Sequence, residues 1–69
     1  MMRKPVNSTN IRSVGYDGST LEVEFHGGGI YQYNNVPRHH YEHMINYTHP
    51  GTYFAANVKN VYIPARKIN

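Results

Sequence analysis

The sequence predicts a small α+β domain: a three-stranded antiparallel meander packed against one helix, with a second short helix and an extended C-terminal tail. From Val14 to Val36, apolar residues alternate with polar ones between glycine turns, and beyond Val36 the apolar spacing lengthens to that of a helix. The length bounds the answer: a chain of 69 residues buries only about 60% of its unfolded surface, so residues 1–69 form one domain around one core.

The first strand presents Val14 and Tyr16 on one face. It ends at Asp17-Gly18-Ser19-Thr20, which fits a two-residue type II′ turn because glycine supplies the positive φ needed at the first central position. That turn pairs Asp17 with Thr20 and sets Val14 and Tyr16 opposite Val23 and Leu21. Ile11 is out of phase with this face, so a bulge or irregular start is expected near Arg12-Ser13. In the middle strand, Leu21-Glu22-Val23-Glu24-Phe25, the apolar side chains share one face and the glutamates take the other.

The second turn decides where Tyr31 and Tyr33 lie. A two-residue Gly27-Gly28 loop places them beside Glu24 and Glu22 on the outer face. A three-residue Gly27-Gly28-Gly29 loop pairs His26 with Ile30 and puts them inside, opposite Phe25 and Val23. The longer loop is preferred because it gathers Glu22, Glu24, Gln32 and Asn34 outside, although it exposes Ile30.

Pro37 suits the first turn of a helix, and Tyr41, Met44 and Ile45 recur at i, i+3 and i+4, so a helix is expected over 37–46. Thr48-His49-Pro50-Gly51 ends it and opens a second short helix carrying Tyr53, Phe54 and Val58. Val61-Tyr62-Ile63 is β-prone, but Pro64 limits it to an edge or to extended coil. The expected core is Val14, Tyr16, Leu21, Val23, Phe25, Tyr31, Tyr33, Tyr41, Met44, Ile45 and Phe54.

Composition narrows the class. Hydrophobic residues make up 39% of the chain and the mean hydropathy is -0.67, with no apolar run near the ~20 residues of a membrane-spanning helix. No apolar stretch follows Met1-Met2-Arg3-Lys4-Pro5, so no secretory signal opens the chain and a soluble, cytoplasmic protein is expected. The sequons Asn7-Ser8-Thr9 and Asn46-Tyr47-Thr48 then mean nothing. Cysteine is absent, which excludes disulfides, thiolate metal sites and cysteine nucleophiles. With no tryptophan and 2 phenylalanines, the 7 tyrosines must supply much of the buried area.

Little points to catalysis. His39 and His43 have the helical spacing that lets two imidazoles meet one metal, yet Glu42 lies well round the helix from them, so the pair is half a site and no metal is expected. Ser8, Ser13 and Ser19 sit in no nucleophile-elbow context, and Glu22 with Glu24 reads as a solvated sheet face rather than a catalytic carboxylate pair. Gly27-Gly28-Gly29 lacks the Gly-Lys-Ser/Thr ending of a phosphate loop and opens a strand rather than a helix. No enzyme activity and no cofactor are expected.

The order Ser8-Thr9-Asn10-Ile11, Gly15-Tyr16-Asp17, Leu21-x-Val23-x-Phe25, Gly29-Ile30-Tyr31-Gln32-Tyr33, Val36-Pro37, Tyr41 and Gly51-x-Tyr53-Phe54 resembles the KTSC domain. That short module is seen alone in bacterial and phage proteins and at the C-terminus of some lysyl-tRNA synthetases, and the central Tyr-x-Tyr is its mark. The resemblance covers nearly the whole chain. It implies a small α+β fold without known catalytic residues and, from the synthetase context, an RNA-binding role. His49-Pro50-Gly51 stands where the family has Ser-x-Gly, and Ala55 where it has Asn. A serine helix cap is thereby lost, for which Thr48 is the candidate substitute.

The expected function is a non-catalytic binding module for RNA or another polyanion. The net charge is +3, from 7 Lys/Arg against 4 Asp/Glu, with a pI near 9.4. If the termini meet beside the helix, Arg3, Lys4, Arg38, Lys59, Arg66 and Lys67 form one basic surface away from Glu22 and Glu24. Tyr47 and Tyr62 are then the stacking candidates, with Tyr31 and Tyr33 held inside as support. On the outer face the same Tyr-x-Tyr pair would itself be placed to stack bases, against the repulsion of phosphate by Glu22 and Glu24. The rival class is an interaction protein for a protein or small nucleotide, acting as a homo-oligomer, since so small a core gains from oligomer burial. A membrane partner is not expected.

Overall fold

The computed structural model describes residues 1–46 and 48–69. Its architecture is α+β: an antiparallel sheet in the order β1 (Arg3–Pro5), β2 (Ile11–Asp17), β3 (Thr20–Phe25), β4 (Ile30–Tyr33), β5 (Arg66–Lys67), with α1 (Arg38–Asn46) and α2 (Pro50–Asn57) between β4 and β5. The three-strand expectation is thus corrected to five. The meander β2–β4 is flanked by two short edge strands whose sequences, Arg3-Lys4-Pro5 and Arg66-Lys67, carry no apolar alternation. Charged residues and proline are what sheets place at edges, so the residues that make these strands safe also hide them from a pattern search.

The first hairpin pairs as its turn dictates: Asp17 with Thr20, Tyr16 with Leu21 and Val14 with Val23. Gly18 has a φ of 65° while Ser19 stays negative, the pattern of a type II′ turn. The register breaks between Ile11 and Ser13, a bulge that rotates Ile11 inward, where it is fully buried.

The second hairpin differs from expectation by two residues. Its loop is His26-Gly27-Gly28, closed by the Phe25 amide on the Gly29 carbonyl at 3.1 Å, so Tyr31 pairs with Val23 and Tyr33 with Leu21. Positive φ falls at Gly28 (115°) and Gly29 (93°), leaving the first loop position to His26. A Cβ on Gly29 would also lie 3.0 Å from the Tyr31 ring. A shift of two preserves parity, so both tyrosines remain on the helix-covered face.

On that face the buried residues are Ile11, Val14, Leu21, Val23 and Tyr33 from the sheet, Val36 from the crossing segment, Tyr41 and Met44 from α1, and Phe54 and Val58 at α2. Ile11, Val36 and Val58 are additions to the expected core. Tyr16, Phe25, Tyr31 and Ile45 prove half-buried, packed against it. The Tyr16 ring stacks on Tyr41, with centroids 5.6 Å apart, and its hydroxyl donates to the Val36 carbonyl at 2.6 Å. That bond fixes the entry to α1, which starts at Arg38, one residue after Pro37. The N-cap of α2 is His49, without a side-chain capping bond, and Pro50 follows it; Thr48 does not replace the missing serine as the cap. Val61-Tyr62-Ile63 forms no strand; the Val61 and Tyr62 amides turn back to the Val58 carbonyl at 3.1 Å each.

The outer face is not a solvated row. Glu22 is only 4% exposed. The register runs Arg3, Gly15, Glu22, Gln32, Arg66 straight across the five strands. Glycine at position 15 lets β1 and the preceding residues lie close, since a Cβ there would come 3.0 Å from both the Arg3 side chain and the Met2 carbonyl. Arg3 donates to Glu22 and to Ser13 (3.0 Å), Gln32 donates to Glu22 (2.9 Å), and Ser13 donates to Glu24 (2.8 Å).

Candidate functional site

The main cleft, of ≈ 650 Å³, lies between the β3–β4 loop, the β1–β2 loop and α2. Its floor is aromatic: Phe25, Tyr31, Tyr33 and Phe54. These rings pack edge to face in a chain, Tyr31 on Phe25 at 5.6 Å, Phe25 on Phe54 at 5.7 Å and Phe54 on Tyr33 at 5.3 Å. Strand alternation brings Tyr31 and Tyr33 to this floor, and the bulge near Arg12 lets Phe25 pair across from Ile11. Burial, and after it the neighbouring Tyr31, raise the Tyr33 phenol above its ordinary 10.0, so it stays neutral.

The lips are short and polar. Thr9 and Asn10 form one, in a turn held by Ser8 Oγ, which accepts the Asn10 and Ile11 amides at 3.1 Å each. Gly27 and Gly28 form the other, where a Cβ would meet nothing within 4 Å. Lys59 lines the end beyond α2. Lys67 stands at the rim: it pairs with Tyr31 across the β4–β5 ladder, and its Cε is 3.5 Å from where a Gly29 Cβ would sit. No Asp or Glu lines this cleft.

The expected basic surface therefore does not assemble as one face. Its two terminal pairs sit on opposite edges of the sheet. Arg3 lies on Glu22 rather than away from it. Lys4 stays on the far edge, and Arg66, one residue from Lys67, points with Glu22 and Gln32 to the outer face. Arg38 lies 5.7 Å from the centroids of both Tyr16 and Tyr41 and bonds Glu42 at 3.0 Å. Of the six cations, Lys59 lines the cleft and Lys67 lies beside Tyr31 at its rim. Among the described residues, neither makes an ion pair.

Of the two stacking candidates, Tyr47 lies outside the described residues, and Tyr62 is committed elsewhere. Its hydroxyl meets His40 Nε2 at 3.1 Å, while Tyr53 meets His40 Nδ1 at 2.8 Å. One histidine thereby ties α1 to α2 and to the segment leading into β5. A neutral imidazole suits this place, donating from one nitrogen and accepting at the other. Burial, then the nearby His39 and His43, hold the His40 pKa below its ordinary 6.5. The rings of His39 and His43 are 6.4 Å apart, and His43 stacks on Tyr53. Among the described residues, no three His, Cys, Asp or Glu side chains gather as a metal site, and no helix is long and apolar enough to cross a membrane.

Fold and cleft define a small α+β module in which Ser8 holds a turn and Ser13 bridges Arg3 to Glu24. The chain belongs to the KTSC domain family, whose model matches residues 7–62. It is similar to the crystal structure of a KTSC domain protein from Yersinia pestis, with a TM-score of 0.89 and 34% identity over 99% of this chain and 97% of that one. It is also 46% identical over 39 residues to an uncharacterized protein of Stutzerimonas stutzeri, a match covering 54% of this chain and 55% of that protein. The match thus spans about half the length of that curated relative.

Proposed function

We propose that the domain is a non-catalytic module that binds RNA or another phosphate-bearing polyanion through the aromatic cleft. The observation that carries this reading is the separation of charge. Glu22 and Glu24 are held on the opposite face by Arg3 and Arg12, Glu42 is held by Arg38, and the cleft keeps Lys59 and Lys67 without a carboxylate in its lining. Two cations at a recess with no Asp or Glu in its lining attract phosphate, and release of counterions makes such binding salt-dependent.

The test is a fluorescence-anisotropy titration with a labelled single-stranded oligonucleotide over a range of salt. Affinity should fall as salt rises, and Lys59→Ala with Lys67→Ala should flatten the log–log slope by about 1.4, at ~0.7 for each single-strand phosphate that is no longer neutralised. No binding at low salt, or an unchanged slope in the double variant, contradicts the reading. The interaction-protein alternative is favoured by exposed Val61, Ile63 and Ile68 along the C-terminal segment. Against self-pairing through strands, both sheet edges carry cations. A light-scattering mass above 8.0 kDa would favour that alternative.

A further inference from the structure

We infer that the ligand is single-stranded nucleic acid, recognised by stacking an unpaired base on Phe25 or Tyr31; this rests on the polyanion reading of the cleft. Two lysines alone would hold any polyphosphate. What they flank is an aromatic surface, and a bare phosphate chain gains nothing from it. Phe25 and Tyr31 are the partly exposed rings of the floor, and buried Phe54 braces Phe25 from behind, itself packed on Tyr33. The two outer rings stand at 76° to each other, so a flat base lying on one turns its edge towards the other, both favourable aromatic arrangements.

The walls fit the same ligand. At Gly27 and Gly28 the backbone is bare, which lets a sugar or phosphate approach closely. Thr9 and Asn10 on the facing lip bring a hydroxyl and an amide, both able to donate and accept at a base edge. Lys67 extends beside the Tyr31 ring, within reach of the phosphate of a base stacked there. A duplex keeps its base faces stacked and offers only backbone to such a recess, whereas a single strand can turn a base out into it.

The decisive experiment changes the ligand and leaves the protein intact. The wild-type domain is titrated with a labelled single strand, with an abasic strand of equal length and charge, with the corresponding duplex, and with inorganic polyphosphate. The base-bearing strand should bind about 5- to 150-fold more tightly than the abasic one, the range expected for one stacked base, and more tightly than duplex or polyphosphate. Tyr31→Leu, with its fold checked by circular dichroism, should shrink that ratio. Equal binding of the base-bearing and abasic strands, or of strand and duplex, overturns the inference while leaving the polyanion reading intact. Binding of none of the four overturns both.

Discussion

Phe54→Ala is expected to lower the unfolding free energy by about 3–5 kcal/mol, the usual cost of deleting a buried phenyl ring. Phe54 is only 4% exposed and fills the gap between Phe25 and Tyr33 under α2. Within α2 only Pro50 and Phe54 are buried, so few neighbours can close the cavity. A domain of 69 residues has a total stability of about 3–10 kcal/mol, and the variant therefore loses at least about a third of it. A urea midpoint equal to wild type would show that α2 does not depend on this ring. The same substitution at Phe25 should cost less, because Phe25 is only partly buried, at the cleft, rather than sealed in the core.

Arg3→Met should destabilise by about 3 kcal/mol, the low end for removing one partner of a buried ion pair, since Arg3 itself is partly exposed. Its loss leaves the Glu22 carboxylate buried with Gln32 as its remaining side-chain donor. The pH dependence identifies the cause. Burial pushes the Glu22 pKa up, but hydrogen bonds from Gln32 and Arg3 and the positive charge of Arg3 outweigh it and hold the group below its ordinary 4.5. A carboxyl depressed in the folded state stabilises fully above 4.5 and loses that contribution as pH falls through the lower folded value. Wild-type stability should therefore drop in acid below 4.5, and Arg3→Met should flatten or reverse that drop. An equal acid slope in both proteins would show that Arg3 does not hold the Glu22 charge.

The inner meander is legible in the sequence because parity is robust. Leu21-x-Val23-x-Phe25 and Tyr31-x-Tyr33 must share a covered face, and moving the loop by two residues leaves that unchanged. The register itself is not legible: three successive glycines do not say which two take positive φ, and Gly29 is chosen by its contact with Tyr31, formed only after folding. The edge strands are invisible because their side chains are charged. The buried state of Glu22 is hidden for a related reason, since it depends on Arg3, 19 residues away, crossing the space left by Gly15.

For the candidate site, the acid-free aromatic character of the region follows from the strand pattern, but its cations do not. Lys59 and Lys67 belong to segments without a periodic signal. The expectation that the chain ends converge fails because each end adds a strand to a different edge of one sheet. Tyr62 is misread for lack of a signal that His40 would be buried beside it; a histidine on the apolar side of α1, one residue before Tyr41, is the hint that could have found it.

The most direct measurement of the central claim is an amide chemical-shift map of the ¹⁵N-labelled domain on titration with a short single strand at low salt. Binding in the cleft predicts the largest shifts at Thr9, Asn10, Gly27, Gly28, Tyr31 and Lys59, with the outer row Gly15, Glu22 and Gln32 little changed. Shifts concentrated on that outer row, or none at all, would contradict it.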